Sequence, residues 1–147
     1  MKSIQVTTRV KAGLPEVVAA FNKDLFLRLN PPFPPVRLLR YDGNESGNRV
    51  ELLLNFLLFK QRWVSVISET AAGQHFWWFK DEGEQLPFFL KSWSHKHVIE
   101  QKDGFCLITD AIELTAPAYL PDGLVAAAIR LLMLYRRPVY RKIFGAV

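Results

Sequence analysis

Two histidines and one aspartate stand where two neighbouring segments of the chain would bring them together. His95 and His97 are two residues apart in KSWSHKHVIEQK, and Asp110 interrupts the apolar alternation of FCLITDAIEL. Side chains two residues apart on a strand share a face of the sheet. Imidazole and carboxylate groups can hydrogen-bond to each other, exchange protons with a ligand or bind a metal ion.

A tight hairpin sets the register of these residues. The dipeptide Asp103-Gly104 between two alternating segments predicts a two-residue β-turn. In that register His97 lies opposite Asp110, and His95 lies opposite Ile112. Because a charged group on an apolar sheet face needs a partner, we expect Asp110 to accept a hydrogen bond from His97. This leaves His95 without a protein partner and free to contact a ligand.

Two other uses of the same residues stay open. His97 backed by Asp110 could act as the base of a cyclase, dehydratase or hydrolase. Neither a serine nor a cysteine stands beside them as a nucleophile, so binding without catalysis is the favoured interpretation. A site with two histidines and one carboxylate could also hold a metal, but no further ligand lies nearby in the sequence. We therefore expect no metal and no cofactor.

Length and composition bound the class of protein. A chain of 147 residues, half of them hydrophobic and 13% aromatic, fits a single domain over residues 1–147 with a generous core. The single cysteine, Cys106, is typical of a reducing compartment, so we expect a cytoplasmic protein without a signal peptide. The longest apolar run, 52–59, is broken by Asn55 and is too short to span a bilayer.

The net charge of +5 is concentrated near the C-terminus. The residues that contribute are Arg130, Arg136, Arg137, Arg141 and Lys142. We interpret them as the solvated face of a helix, and weak contact with an anionic membrane or a protein partner is the alternative. No nucleic-acid-binding motif accompanies the charge, so nucleic acid is not expected as a partner.

Hydrophobic spacing predicts strand, helix, several strands and a last helix. Alternating residues predict strands at 3–11, 36–41, 49–69 (one curved strand or a pair that turns near 60–61), 75–80 and the hairpin 86–114. Helical spacing predicts one helix or two short helices over 14–29. The polar segment 81–85 is predicted to be a loop.

The C-terminal helix is predicted to run to about Phe144, with a kink or break near 134–137 because Pro138 lies inside the pattern. Its predicted apolar face comprises Leu124, Val125, Ala128, Leu132, Tyr135, Val139 and Ile143. An antiparallel sheet with one apolar face must be covered, and this helix is the obvious cover. The fold class is therefore α+β, with a curved antiparallel sheet of about six or seven strands wrapped around a long helix.

The motif in the middle of the sheet resembles one known superfamily. Pro87-Phe88, the W-x-H-x-H pattern at 93–97 and Asp110 followed by Pro117 are similar to the bacterial ligand-binding branch of the SRPBCC (START-like, helix-grip) superfamily. The resemblance implies a helix-grip fold with an internal cavity. Because the superfamily contains both carriers and enzymes, it does not decide between those two functions.

The sequence thus predicts binding or carriage of a small hydrophobic molecule between the sheet and the C-terminal helix. His95 and His97 are the predicted polar contacts. The predicted apolar wall consists of Trp93, Ile112, Leu124, Ala128 and Tyr135.

Overall fold

The computed structural model describes residues 1–147 and contains seven strands and three helices. The strands are β1 (Lys2–Val10), β2 (Val36–Tyr41), β3 (Arg49–Asn55), β4 (Lys60–Ala72), β5 (Phe76–Gln85), β6 (Ser92–Lys102) and β7 (Phe105–Thr115). The helices are α1 (Leu14–Ala20), α2 (Lys23–Leu29) and α3 (Asp122–Phe144). The strands form one curved antiparallel sheet in the order β1-β7-β6-β5-β4-β3-β2. The predicted helix-grip architecture is confirmed.

Local sequence signals account for the ends of several elements. Asn22 caps α2, because its side chain accepts a hydrogen bond from the backbone N–H of Leu25 at 3.1 Å. Gly104 takes a φ of +82° in the β6–β7 turn, where a residue with a Cβ would be strained. The hairpin has the predicted register, with His97 opposite Asp110.

Two predicted boundaries were wrong. The segment 49–69 is a pair of strands, and its turn lies at 56–59, just before the predicted position. The segment 81–85, predicted to be a loop, belongs to β5. It continues the ladder with β6, where Asp81 pairs with His95. Pairing between two central strands overrides the polar composition of this segment, because the Asp81 side chain finds hydrogen-bond partners inside the sheet.

Helix α3 is continuous through Pro138, so the break predicted near 134–137 does not occur. Its buried residues are Val125, Ile129, Met133, Tyr140 and Phe144. The buried face is therefore rotated by one residue, about 100°, from the predicted face. A cavity explains the difference, because part of the predicted face borders this cavity instead of packing against the sheet.

Two apolar clusters hold α3 against the sheet. One lies towards the β6–β7 turn and includes Val10, Ile108 and Tyr140, together with residues of α1 and α2. The other lies towards the start of α3 and includes Trp93 and Met133. None of the helices is both long and apolar enough to cross a membrane.

The first prediction concerns these clusters. Ile108 is 1% exposed, and Leu58 at the β3–β4 turn is 96% exposed. Replacing Ile108 by Ala should lower the free energy of unfolding by about 3 kcal/mol, through lost burial and a residual cavity. The matched control Leu58→Ala should change it by less than about 0.5 kcal/mol. Urea unfolding of both variants measures the difference, and equal effects would contradict the assignment of Ile108 to the core.

Candidate functional site

A layer of polar side chains separates the two apolar clusters. It is formed by Asp81 of β5, His95 and His97 of β6, Asp110 of β7 and Arg136 of α3. Three adjacent central strands and the covering helix therefore each contribute to one buried group of charges.

Asp110 lies at the centre of this layer and is 2% exposed. Its Oδ1 accepts hydrogen bonds from His95 Nε2 at 2.8 Å and from Arg136 Nη1 at 2.9 Å. His97 Nδ1 lies 3.7 Å from the same oxygen, which is too far for a hydrogen bond.

The predicted hydrogen bond between His97 and Asp110 is therefore wrong, although their backbone register is correct. Asp110 hydrogen-bonds instead to its diagonal neighbour on β6, because diagonal residues lie within reach of long side chains. The expectation that His95 lacks a protein partner was also wrong.

His97 bonds to a residue that the sequence did not single out. Its Nε2 donates to Asp81 Oδ2 at 2.9 Å, and Trp93 Nε1 donates to Asp81 Oδ1 at 3.0 Å. The His97 ring is stacked between Phe79 and His95, with centroid distances of 4.2 and 3.7 Å. Both histidine rings are thus fixed by a carboxylate and by stacking.

The electrostatics follow from burial and close charges. Burial is the main reason that the pKa of His97 is lowered to about 4. The neighbouring His95 lowers this pKa as well, and its effect is larger than the opposing effect of the Asp81 hydrogen bond. The ring is therefore neutral at pH 7, with its proton on Nε2. Its Nδ1 is buried and has no hydrogen-bond partner.

The two carboxylates stay ionised. Burial opposes the charge of Asp110, but Arg136 and His95 hold the pKa of that carboxyl well below its usual range. Burial also opposes the charge of Asp81, and the His97 hydrogen bond contributes most to lowering its pKa. Two carboxylates and one guanidinium give −2 + 1, a formal charge of −1.

A cavity of about 610 Å³ lies between the sheet and α3 and reaches α2. Of its 34 lining residues, 24 are hydrophobic, so the space suits an apolar molecule. The acidic and basic side chains in its wall are Asp81, His95, His97 and Arg136. His95 Nδ1 lies 3.9 Å from Asp81 Oδ2 and makes no hydrogen bond in the protein, so it is the ring nitrogen left for a ligand.

The structure places the predicted site residues unequally. Trp93, Leu124 and Ala128 line the cavity together with both histidines. Ile112 and Tyr135 do not line it. Ile112 is 1% exposed and packed in the core beneath α3, while Tyr135 is 40% exposed on the outside of that helix. Tyr135 was misplaced because the predicted helix face is rotated by one residue.

Sequence reasoning missed Asp81 and Arg136. Asp81 is two residues from Phe79, so an extended β5 would have placed both on the inner face, but the polar segment 81–85 indicated a loop. Arg136 was assigned to the solvated face of α3, and this was wrong: its side chain is 12% exposed. The spacing from Met133 to Arg136 and Tyr140, three and four residues, was the available signal.

The nitrogen and oxygen donors of Asp81, His95 and His97 all lie within 4.8 Å of one another, so these residues could approach one metal ion. The two imidazole rings are stacked with an interplanar angle of 24°, however. Their lone pairs therefore run side by side instead of converging on one point. Arg136 also places a positive charge beside the set. The geometry suits hydrogen bonding better than metal coordination.

The catalytic alternative required a free nitrogen of His97 facing the cavity, backed by Asp110. One nitrogen of His97 is bound to Asp81 and the other is buried, and no hydrogen bond joins His97 to Asp110. The geometry therefore gives His97 no nitrogen with which to act on a ligand.

Comparison with solved structures identifies the fold. A START superfamily protein from Mycobacterium smegmatis superposes with a TM-score of 0.71 at 11% identity, over 97% of this chain and 96% of that chain. A Chromobacterium violaceum protein gives 0.71 at 13% identity, over 99% and 98%. Norcoclaurine synthase from Thalictrum flavum, in complex with dopamine and hydroxybenzaldehyde, gives 0.57 at 14% identity, over 90% and 85%. The chain therefore has the START-like fold.

Comparisons of the sequence itself add nothing to this. No protein-family model matches the chain, and no curated protein matches it significantly.

The second prediction tests the Asp110–Arg136 pair. Asp110→Asn leaves Arg136 buried without a counter-charge and should lower the free energy of unfolding by about 3–5 kcal/mol. Adding Arg136→Met should recover part of that loss, since the uncompensated charge is then gone. The control Glu84→Gln breaks an ion pair with Arg49 whose side chains are 37–50% exposed, and should cost less than about 1 kcal/mol. A double variant no more stable than Asp110→Asn would contradict the pairing.

The third prediction concerns pH. The folded-state pKa of His97 is about 4 against an ordinary 6.5, so the unfolded chain binds more protons between these values. Stability should therefore fall as pH is lowered from 6.5 to about 4, by at most about 1.4 kcal/mol per pH unit from this one group. Below that range, protonation of Asp81 and Asp110 should lower stability further. Urea unfolding across the window measures the slope, which His97→Asn should reduce; an unchanged slope would be inconsistent with a neutral buried His97.

Proposed function

We propose that the protein binds a small, mostly apolar organic molecule in the cavity between the sheet and α3, with the ligand's polar group at His95. The observation that carries the proposal is a mostly apolar cavity of about 610 Å³ whose wall contains one group of acidic and basic side chains, Asp81, His95, His97 and Arg136. Small-molecule sites commonly have volumes of about 300–1,000 Å³, are mainly apolar and contain a few polar groups that fix orientation.

The charges of the patch indicate which polar group the ligand carries. His95 Nε2 donates to Asp110, so Nδ1 has no protein partner, and it is an acceptor whenever it carries no proton. The carboxylate of Asp81 is a second acceptor in the wall. With a formal charge of −1 on the fixed ions, a hydroxyl, phenol or amine is favoured over a carboxylate or phosphate.

Binding without chemistry is the form of function that the geometry supports best. His97 offers no nitrogen to the cavity, and its role is to hold Asp81 and to stack on His95. Norcoclaurine synthase, a protein of the same fold, has been solved with dopamine and hydroxybenzaldehyde. That complex supports a small organic ligand in this fold, without indicating the ligand or reaction of this chain.

The fourth prediction uses two adjacent alanines of α3. Both Ala127 and Ala128 are exposed, and of the two only Ala128 lines the cavity. Ala128→Trp fills part of the space and should weaken binding of 1-dodecanol by at least about tenfold, because the ligand's volume is displaced. Ala127→Trp should leave the affinity unchanged.

Displacement of the neutral dye Nile red from delipidated protein measures both affinities. Equal affinities in the two variants, or wild-type protein that binds neither the dye nor the alcohol, would contradict the proposal.

A further inference from the structure

The turn between β3 and β4 presents apolar side chains to solvent. Leu57 is 82% exposed, Leu58 is 96% exposed and Phe59 is 46% exposed. Single exposed apolar residues are ordinary, but three in succession at a turn indicate a contact surface.

The turn has a defined structure that holds these residues outward. Asn55 Oδ1 accepts a hydrogen bond from the backbone N–H of Leu57 at 3.0 Å, and the N–H of Leu58 donates to the Phe56 carbonyl at 2.7 Å. Leu57 has a φ of +69°, a region that bulky residues rarely occupy. The turn thus holds both leucines outward, and Leu57 adopts a conformation that a glycine or asparagine would adopt at lower cost.

The turn borders the opening of the cavity. Phe56 lines the cavity, and its ring packs against Phe59 and Phe88 at centroid distances of 5.3 and 5.6 Å. On α3, the cavity-lining residues Leu124 and Leu131 are 63% and 69% exposed. We call this set the mouth rim: Leu57, Leu58, Phe59, Phe88, Leu124 and Leu131.

The surface beside the rim is basic. Near the turn, in residues 36–38 and 53–63, the charged residues are Arg37, Lys60 and Arg62, and Arg62 lies 3.8 Å from Glu51 of β3. Arg37 and Arg62 both pair with Leu53 in the sheet, and Lys60 pairs with Asn55. Lys91, which follows the Phe88 segment, is exposed as well.

From this arrangement we infer that the mouth rim docks on a lipid bilayer that contains anionic lipid. Protruding leucines and phenylalanines suit the boundary between headgroups and acyl chains, and a basic fringe suits an anionic surface. The surface differs from the basic face of α3 considered from the sequence, where Arg136 is bound to Asp110. Docking would open the cavity towards the membrane, so that an apolar ligand passes between bilayer and cavity; this role rests on the proposed function, whereas docking itself does not.

Vesicle sedimentation tests the inference with ligand-free full-length protein. Wild-type protein should bind phosphatidylcholine vesicles that contain phosphatidylglycerol, more strongly at low salt than at high salt. The double variant Leu57→Asp/Leu58→Asp should bind at least about tenfold more weakly. Lys60→Glu/Lys91→Glu should lose the preference for phosphatidylglycerol.

Val147→Asp is the matched control. Val147 is 61% exposed and lies at the end of the sheet away from the rim. Its neighbour Ala146 pairs with Val10, and Val10 pairs with Cys106 beside the β6–β7 turn. This variant should bind as wild type. Wild-type protein that fails to bind at low salt, or leucine variants that bind like the control, would overturn the inference.

A second measurement uses a variant that keeps the turn apolar and therefore does not depend on the folding of the aspartate variants. Leu58→Trp should show a blue-shifted emission component with vesicles and quenching by brominated acyl chains, and vesicle binding without quenching would also overturn the inference. Nile red binding by the same proteins separates the two proposals. Wild-type protein that binds the dye but not the vesicles defeats docking alone, and wild-type protein that binds the vesicles but not the dye defeats the cavity proposal alone.

Discussion

One carboxylate oxygen organises the interior of this protein. Asp110 Oδ1 accepts hydrogen bonds from His95 on the neighbouring strand and from Arg136 on the covering helix. It thereby joins β6, β7 and α3 at the layer where neither apolar cluster reaches. A buried ion pair contributes little net stability when compared with apolar packing, but leaving one partner alone is costly. The pair therefore fixes the rotation and position of α3 on the sheet.

The cavity is a consequence of how the helix is held. Val125, Ile129 and Met133 pack in the apolar cluster against the sheet and also border the open space, which Leu124 and Ala128 on the adjoining face border from the exposed side of the helix. The same hydrogen bonds orient His95, because its Nε2–H donates to Asp110 and its Nδ1 has no partner in the protein. Asp81 has the corresponding role for His97 and adds Trp93, so that the aromatic and polar parts of the wall are positioned together.

The fold was largely predictable from the sequence, and the site only in part. Strand alternation, the Asp103-Gly104 turn and the last helix established the architecture and the hairpin register. The register failed to give the hydrogen bonds, because His95 reaches Asp110 diagonally instead of across the ladder. Asp81 was not predicted to lie in the site, because the polar end of β5 has the composition of a loop.

The helix shows why periodicity alone is insufficient when a cavity is present. Leu124, Val125, Ala128 and Ile129 are all apolar, and the pattern does not say which of them meets the sheet and which meets empty space. Arg136 could be placed inside only by knowing that Asp110 needed a counter-charge. Arginine is rarely buried unless it is paired, so the amino-acid composition of α3 does not indicate that Arg136 lies inside.

The proposal that bears most directly on function is that His95 Nδ1 binds the polar group of a ligand in a mostly apolar cavity. Its most direct test is ¹⁵N NMR of the histidine side chains during titration of delipidated protein with 1-dodecanol. The Nδ1 resonance of His95 should move as its lone pair accepts a hydrogen bond, while its Nε2 and the ring of His75 should remain unchanged. Saturable binding of the alcohol with no change at His95, or no binding at all, would contradict it.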